Sequence, residues 1–163
     1  MKEYRVYRAT KEAKNGAALS FSMRRTKPNE GAKFPKWLCF MDAANQKEGT
    51  DENGNARFDW DNKITFKIGE IDAGELLAFL TWRKTQLGTN GSLYHENTKG
   101  NTVLKMGLKN PKDRSQGYQL RISKKIKDGD PSAVMISLGV SEGMIIESFL
   151  RLFLQKYFNE DAE

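Results

Sequence analysis

Few residues in this chain are equipped for covalent or metal chemistry. One histidine, His95, and one cysteine, Cys39, serve all 163 residues. A lone histidine excludes His-pair metal sites and the HExxH arrangement, and a lone cysteine excludes internal disulfides and multi-cysteine metal centres. Cys39 sits in an apolar, strand-like run, which reads as a buried and inert thiol. Asp59 and Asp61 flank Trp60, but a turn entering a strand accounts for them as well as acid–base chemistry does. No glycine-rich phosphate loop, GxSxG turn or Cys/His pairing is present. The acid-rich stretch DENGN resembles part of a calcium loop, yet it lacks the glycine at the sixth position and the closing glutamate. The expectation is a non-enzymatic protein with no metal and no cofactor.

What the chain does offer is positive charge interleaved with aromatic rings. It holds 27 Lys and Arg against 21 Asp and Glu, a net charge of +6. Three of those acids lie in the closing NEDAE, so the rest of the chain sets 27 bases against 18 acids. A basic body with a short acidic tail points to a polyanionic partner, nucleic acid before anionic membrane. No apolar run is long enough to span a bilayer. In the expected strands, Arg24, Lys63, Lys67, Lys105, Lys109 and Arg121 point away from the apolar positions, among Ser20, Ser22, Thr65, Gln119 and Ser123. Single-strand binders combine such a face with rings on which bases stack. Candidate rings are Trp37, Phe40, Trp60 and Tyr94, with Tyr7 beside them, and Lys14, Lys36 and Lys99 in adjoining segments complete the basic set. For each ring the plain alternative is a core aromatic, and for each lysine a solvated sheet face. Recurrence of the cations on four separate strands is what favours binding.

Period-two alternation supplies the elements that would hold these side chains. Strands are expected at Glu3–Arg8, Gly16–Arg25, Phe34–Ala44 and Phe58–Ile68, with Arg5 and Tyr7 on the outward face of the first. Gln46–Asn55, without an apolar residue, reads as a long exposed loop, and Thr26–Lys33 as a basic one. A helix follows from Gly69 to about Lys84. Further strands are expected at Ser92–Glu96, Thr102–Leu108, Gly117–Lys125 and Ala133–Val140, before a last helix N-capped by Ser141 and ending near Phe158. Four strands, a helix, four strands and a helix read as α+β, with two antiparallel sheets and the helices gathered to one side. Residues 1–158 form one domain and 159–163 a short acidic tail. The last helix is apolar over most of its circumference, with Ile146, Phe149, Leu150, Phe153 and Tyr157 in one stripe. Burial on most sides is expected, and this stripe is the candidate oligomerisation surface, with a second copy of the chain as its cover.

Several segments resemble the whirly family of single-stranded DNA-binding proteins. KNGAAL (Lys14–Leu19) is similar to the family's KGKAAL, and FDWDNKITFKI (Phe58–Ile68) to its aromatic-Asp-Trp-x-x-Lys strand. LYHENTKG (Leu93–Gly100) and VLKMGLKNPKDRSQGYQLRIS (Val103–Ser123) resemble its two later hairpins, in the family's order. The resemblance implies two four-stranded sheets packed across each other, each followed by a helix. It also implies tetramers with the C-terminal helices at the centre, and bases lodged between the sheets of neighbouring protomers with little sequence preference. Related folds occur in mitochondrial RNA-binding proteins, so RNA is the alternative ligand. A third expectation is a transcription or protein-interaction module with a basic face. The second lysine of KGKAAL is Gly16 here, which removes the resemblance's support for assemblies beyond the tetramer. No counterpart exists for the two loops at 26–33 and 46–55. Transit and signal peptides are not seen, so a cytoplasmic or nucleoid-associated setting is expected, with roles in replication, recombination or repair. The acidic tail is a candidate contact for a protein partner.

Overall fold

The computed structural model describes residues 1–27 and 36–159. Most of the basic loop 26–33, the start of the third expected strand at Phe34 and the acids of the C-terminal tail lie outside the described residues. The first half of the chain forms β1 (Lys2–Arg8), β2 (Ala17–Arg25), β3 (Trp37–Thr50), β4 (Ala56–Phe58), β5 (Ile64–Ile68) and α1 (Glu70–Leu80). The second half forms β6 (Ser92–Asn97), β7 (Gly100–Leu108), β8 (Tyr118–Ile126), β9 (Ser132–Leu138) and α2 (Val140–Phe158). Two antiparallel four-stranded sheets result, ordered β1-β2-β3-β5 and β6-β7-β8-β9, with short β4 bonded to the far half of β3.

Alternation decides which side of each strand is buried. Phe21 and Met23 on β2, Cys39 and Met41 on β3, and Ile64 and Phe66 on β5 are almost fully enclosed. From the other sheet Leu104, Leu120, Ile122 and Ile136 join the same core, together with Leu76 and Phe79 of α1. Burial pushes the Cys39 thiol up to about 12, so it stays protonated and unreactive near neutrality. No helix among the described residues is long and apolar enough to cross a membrane.

Three expectations need correction. Gln46–Asn55 is not a long exposed loop: β3 continues to Thr50 and pairs with β4, with Gln46 opposite Phe58 and Lys47 opposite Arg57. Asp51 closes that hairpin by accepting from the amides of Asn53 at 2.9 Å and Asn55 at 2.8 Å. Gln46–Thr50 carries no apolar residue, so this part of the strand has no alternation to mark it. Second, the strand expected at Phe58–Ile68 is broken by a single helical turn at Trp60–Asn62. Third, α2 begins two residues earlier than Ser141 would set it. Gly139 is the N-cap, and its amide donates to the Glu142 carboxylate at 2.7 Å.

The stripe expected to meet another copy is placed inward. Ile146, Leu150 and Phe153 are 1 %, 0 % and 1 % exposed within the single chain, and Phe149 and Tyr157 pack against the same core. α2 packs on α1 and on β1 and β3 of the first sheet, so the chain itself already covers the stripe. The apolar residues left outside on α2 are Met144, Ile145 and Phe158.

Gly16 precedes β2 because nothing larger fits. A Cβ there would stand 1.7 Å from Gln46 Oε1 and 2.9 Å from the Arg8 carbonyl. Gln46 is itself fixed, accepting from the Thr10 amide at 2.9 Å and donating to its carbonyl at 3.0 Å. Gly16→Ala is expected to expel that side chain and destabilise the fold by about 2 kcal/mol, read as a lowered urea midpoint with an unchanged slope.

Turn carboxylates make stability depend on pH. The Asn55 and Asn53 amides hold Asp51 below the usual carboxylate range, the Ser115 and Gln116 side chains do so for Asp113, and the Lys84 ammonium for Glu75. A depressed folded value means that the stability lent is complete above the ordinary carboxylate range and is lost as pH falls through the folded value. Thermal midpoints are therefore expected to be level near neutrality and to drop below about pH 4. Constant midpoints down to pH ~2.5 would contradict this assignment.

Candidate nucleic-acid interface

The outward face of the first sheet carries the polar half of the alternation. Cross-strand register sets Arg5, Ser20, Asp42 and Thr65 in one row, and Glu3, Ser22, Phe40 and Lys67 in the next. The helical turn between β4 and β5 brings Trp60 to the side of these rows. That turn is locked by Asn62, which donates to Asp59 Oδ2 at 2.9 Å, and by Lys47, 3.2 Å from Asp59 Oδ1. The result is a groove of about 490 Å³ that brings together Arg24, Phe40, Trp60 and Lys63 with Arg5, Ser20, Ser22 and Thr65.

Two carboxylates order the cations of this groove. Lys63 Nζ stands 2.8 Å from Asp42 Oδ2, and the Thr65 hydroxyl donates to the other Asp42 oxygen. Arg5 Nε donates to Glu3 Oε1 at 2.7 Å, and the Ser20 hydroxyl to the same oxygen at 2.8 Å. Those bonds, from Arg5 first and Ser20 second, hold the Glu3 carboxyl below its ordinary value, and the partnership raises the Arg5 guanidinium further above its own. Above the rings, Arg5 Cζ lies 5.5 Å from the Trp60 centroid and Arg24 Cζ 5.7 Å from that of Phe40.

The second sheet offers a different face. Lys105 and Arg121 are direct cross-strand neighbours, continued by Ser92 and Met135. Like charges opposite each other destabilise a sheet, so this pair gains from an anion. Tyr94, 55 % exposed, shares that face. Where this sheet meets the first, a second groove of about 500 Å³ sets Lys14 and Asn15 across from Gln119, Arg121 and Met135. Arg8 at its rim is paired with Glu142 of α2.

Other residues expected at the site stand apart. Trp37 has the parity of the core positions on β3 and is half-buried under Lys156 of α2, whose Nζ is 4.6 Å from its ring. Lys36 leads into β3, its amide donating to the Thr26 hydroxyl at 2.7 Å. Lys99 occupies the turn between β6 and β7, and Lys109 follows β7, each away from both grooves. Lys67 is exposed and lies beside Phe40 across the β3–β5 ladder. Glu3 and Asp42 carry no signal of this role in sequence, because acids on a basic face look like solvated positions until register puts them under the cations. Arg5 was legible as outward-facing, but nothing in the sequence joined it to Trp60.

No protein family defined by sequence and no curated protein matches the chain. Solved structures do. WHY1 from Arabidopsis thaliana superposes with a TM-score of 0.70 at 15% identity, covering 99% of this chain and 93% of that one. WHY3 from the same plant gives 0.67 at 17% identity over 99% and 91%. The plant transcriptional regulator PBF-2 gives 0.62 at 17% identity over 96% and 81%. At such identities the likeness is one of fold, and the fold is whirly-like over nearly the whole chain.

Proposed function

We propose that the chain is a non-enzymatic protein that binds single-stranded DNA with little sequence preference, protecting or organising it in replication, recombination or repair. The observation that carries this reading is the groove of the first sheet, where two aromatic rings lie among cations and hydroxyls on a whirly-like scaffold. Bases would stack on Phe40 and Trp60. Phosphates would be neutralised by Lys63 and Lys67 on this face, and by Lys105 and Arg121 on the other. Lys63 must exchange Asp42 for a phosphate, so Lys67 and the Lys105–Arg121 pair supply the larger electrostatic term.

Subunit contact belongs to this proposal too. Met144, Ile145 and Phe158 on α2 and Ile71 on α1 are large apolar side chains left in water by the single chain. A homo-oligomer, with a tetramer expected, would cover them. Light scattering of Met144→Lys with Ile145→Lys should report a smaller particle than the parent; a parent that is already monomeric would remove this part of the proposal.

Binding is tested by fluorescence anisotropy with a labelled single strand, competed by duplex DNA and by RNA of equal length. Single-stranded DNA should compete at least about tenfold better than duplex, because stacked pairs cannot offer their faces to the rings. Equal competition by RNA would move the ligand to RNA. Equal competition by duplex would reduce the face to a basic patch.

A further inference from the structure

We infer that Arg5 and Arg24 are base-holding residues: each guanidinium closes over a nucleobase lying on the ring beneath it, Trp60 for Arg5 and Phe40 for Arg24. This rests on the single-strand reading and specifies how its groove grips a base.

The distances carry the argument. Planar groups in contact lie about 3.5–4 Å apart. The molecule contains such a closed stack elsewhere, with Arg114 Cζ 3.9 Å from the Trp82 centroid. Over Trp60 and Phe40 the corresponding distances are 5.5 and 5.7 Å. Both guanidinia are thus within cation–π reach of their rings, ~6 Å, without the close centring of Arg114 over Trp82. A base centred between guanidinium and ring would set them about 7 Å apart, two contact distances, so each arginine needs only a small displacement to admit one.

Tethers hold Arg5 in place. Its Nε is bonded to Glu3 at 2.7 Å, and one of its terminal nitrogens donates to the Tyr7 hydroxyl at 3.3 Å. Held at two points, the guanidinium is fixed beside Trp60. The Glu3 carboxylate, also fixed by Ser20, already neutralises the Arg5 charge. A compensated arginine is a poor counterion for a phosphate but keeps its planar face, which stacks on a base whatever the base's identity. Glu3 is thus a positioning residue, and a carboxylate inside a basic groove finds its reason.

Arg5→Lys separates stacking from charge, since it keeps the cation and removes the plane. With an intact single strand, Arg5→Lys should bind about five- to tenfold more weakly than the parent, with an unchanged salt slope. With an abasic strand of equal length the two should bind alike. Glu3→Gln should also lose affinity for the intact strand relative to the abasic one, as Arg5 loses its tether. Arg24→Lys provides the same comparison at the second slot, and melting curves confirm that each variant is folded. Equal binding of Arg5→Lys and the parent to intact strands, with Glu3→Gln tightening both ligands, would make Arg5 a phosphate contact and overturn the inference while leaving single-strand binding in place. A folded parent that binds no single strand would instead remove the underlying reading.

Discussion

Removing both rings of the first groove, Phe40→Ala with Trp60→Ala, is expected to weaken single-strand binding at least about a hundredfold, each ring contributing ~1–3 kcal/mol per stacked base. Both side chains line the groove and stand outside the buried core, so their loss leaves the core intact. Far-ultraviolet circular dichroism and the thermal midpoint should therefore stay close to the parent's. All the cations remain, so the dependence of affinity on salt should keep its slope while the whole line shifts to weaker binding. That pattern distinguishes a stacking groove from a charged surface, where loss of neutral rings would shift nothing. Single replacements should each cost about tenfold, and the pair should fall near the product unless one base spans both rings. If folded double variants bind as well as the parent, bases are not stacked on Phe40 and Trp60.

Phe153→Ala is expected to be the most damaging single change to stability. The ring is 1 % exposed, on the inward side of α2 with Ile146 and Leu150, and its neighbour Tyr157 lies 5.7 Å away between centroids. Truncating a buried phenylalanine costs about 3–5 kcal/mol through lost transfer energy and the cavity left behind. Domains of this size hold only about 5–15 kcal/mol in total. The urea midpoint should drop steeply, with an unchanged slope. Phe158→Ala is the control: it sits on the same helix, five residues on, but is 68 % exposed. Within one chain it should cost under ~0.5 kcal/mol. A large loss for Phe158→Ala at high protein concentration that vanishes on dilution would mark its ring as part of a subunit contact.

The sequence carried most of the fold because this fold is written in alternation. Leu19, Phe21 and Met23 against Ser20, Ser22 and Arg24 fix both the strand and its inward face without reference to anything distant. Legibility failed where local pattern and tertiary role part company. The far end of β3, Gln46–Thr50, carries no apolar residue, so its pairing with β4 rests on backbone bonds and the Asp51 turn, neither of which shows as a period. The inward stripe of α2 was visible, but whether a chain's own sheets or another copy covers a stripe is not a property of the helix. Trp37 illustrates the same limit: it has the inward parity of Cys39 and Met41, and parity was the better guide than residue type.

At the groove, the outward cations and hydroxyls were legible for the same reason that the core was. Their partnerships were not. Asp42 meets Lys63 only because β3 and β5 pair directly, although 21 residues separate the two in sequence. Glu3 meets Ser20 because β1 and β2 set Arg5 opposite Ser20 and Glu3 opposite Ser22. Register turned a face expected to be simply basic into one whose charges are partly compensated. That in turn shifts weight from phosphate attraction toward stacking, and the shift is measurable.

The most direct test is the affinity of the folded protein for a single strand across a salt series, beside duplex DNA of equal length. Compensated cations and stacking rings predict a shallow slope for the single strand, with binding that persists beyond about 200 mM salt while duplex binding is lost. Equal slopes for the two ligands, and no binding to either by about 200 mM, would show that phosphates alone are recognised and would contradict the proposed groove.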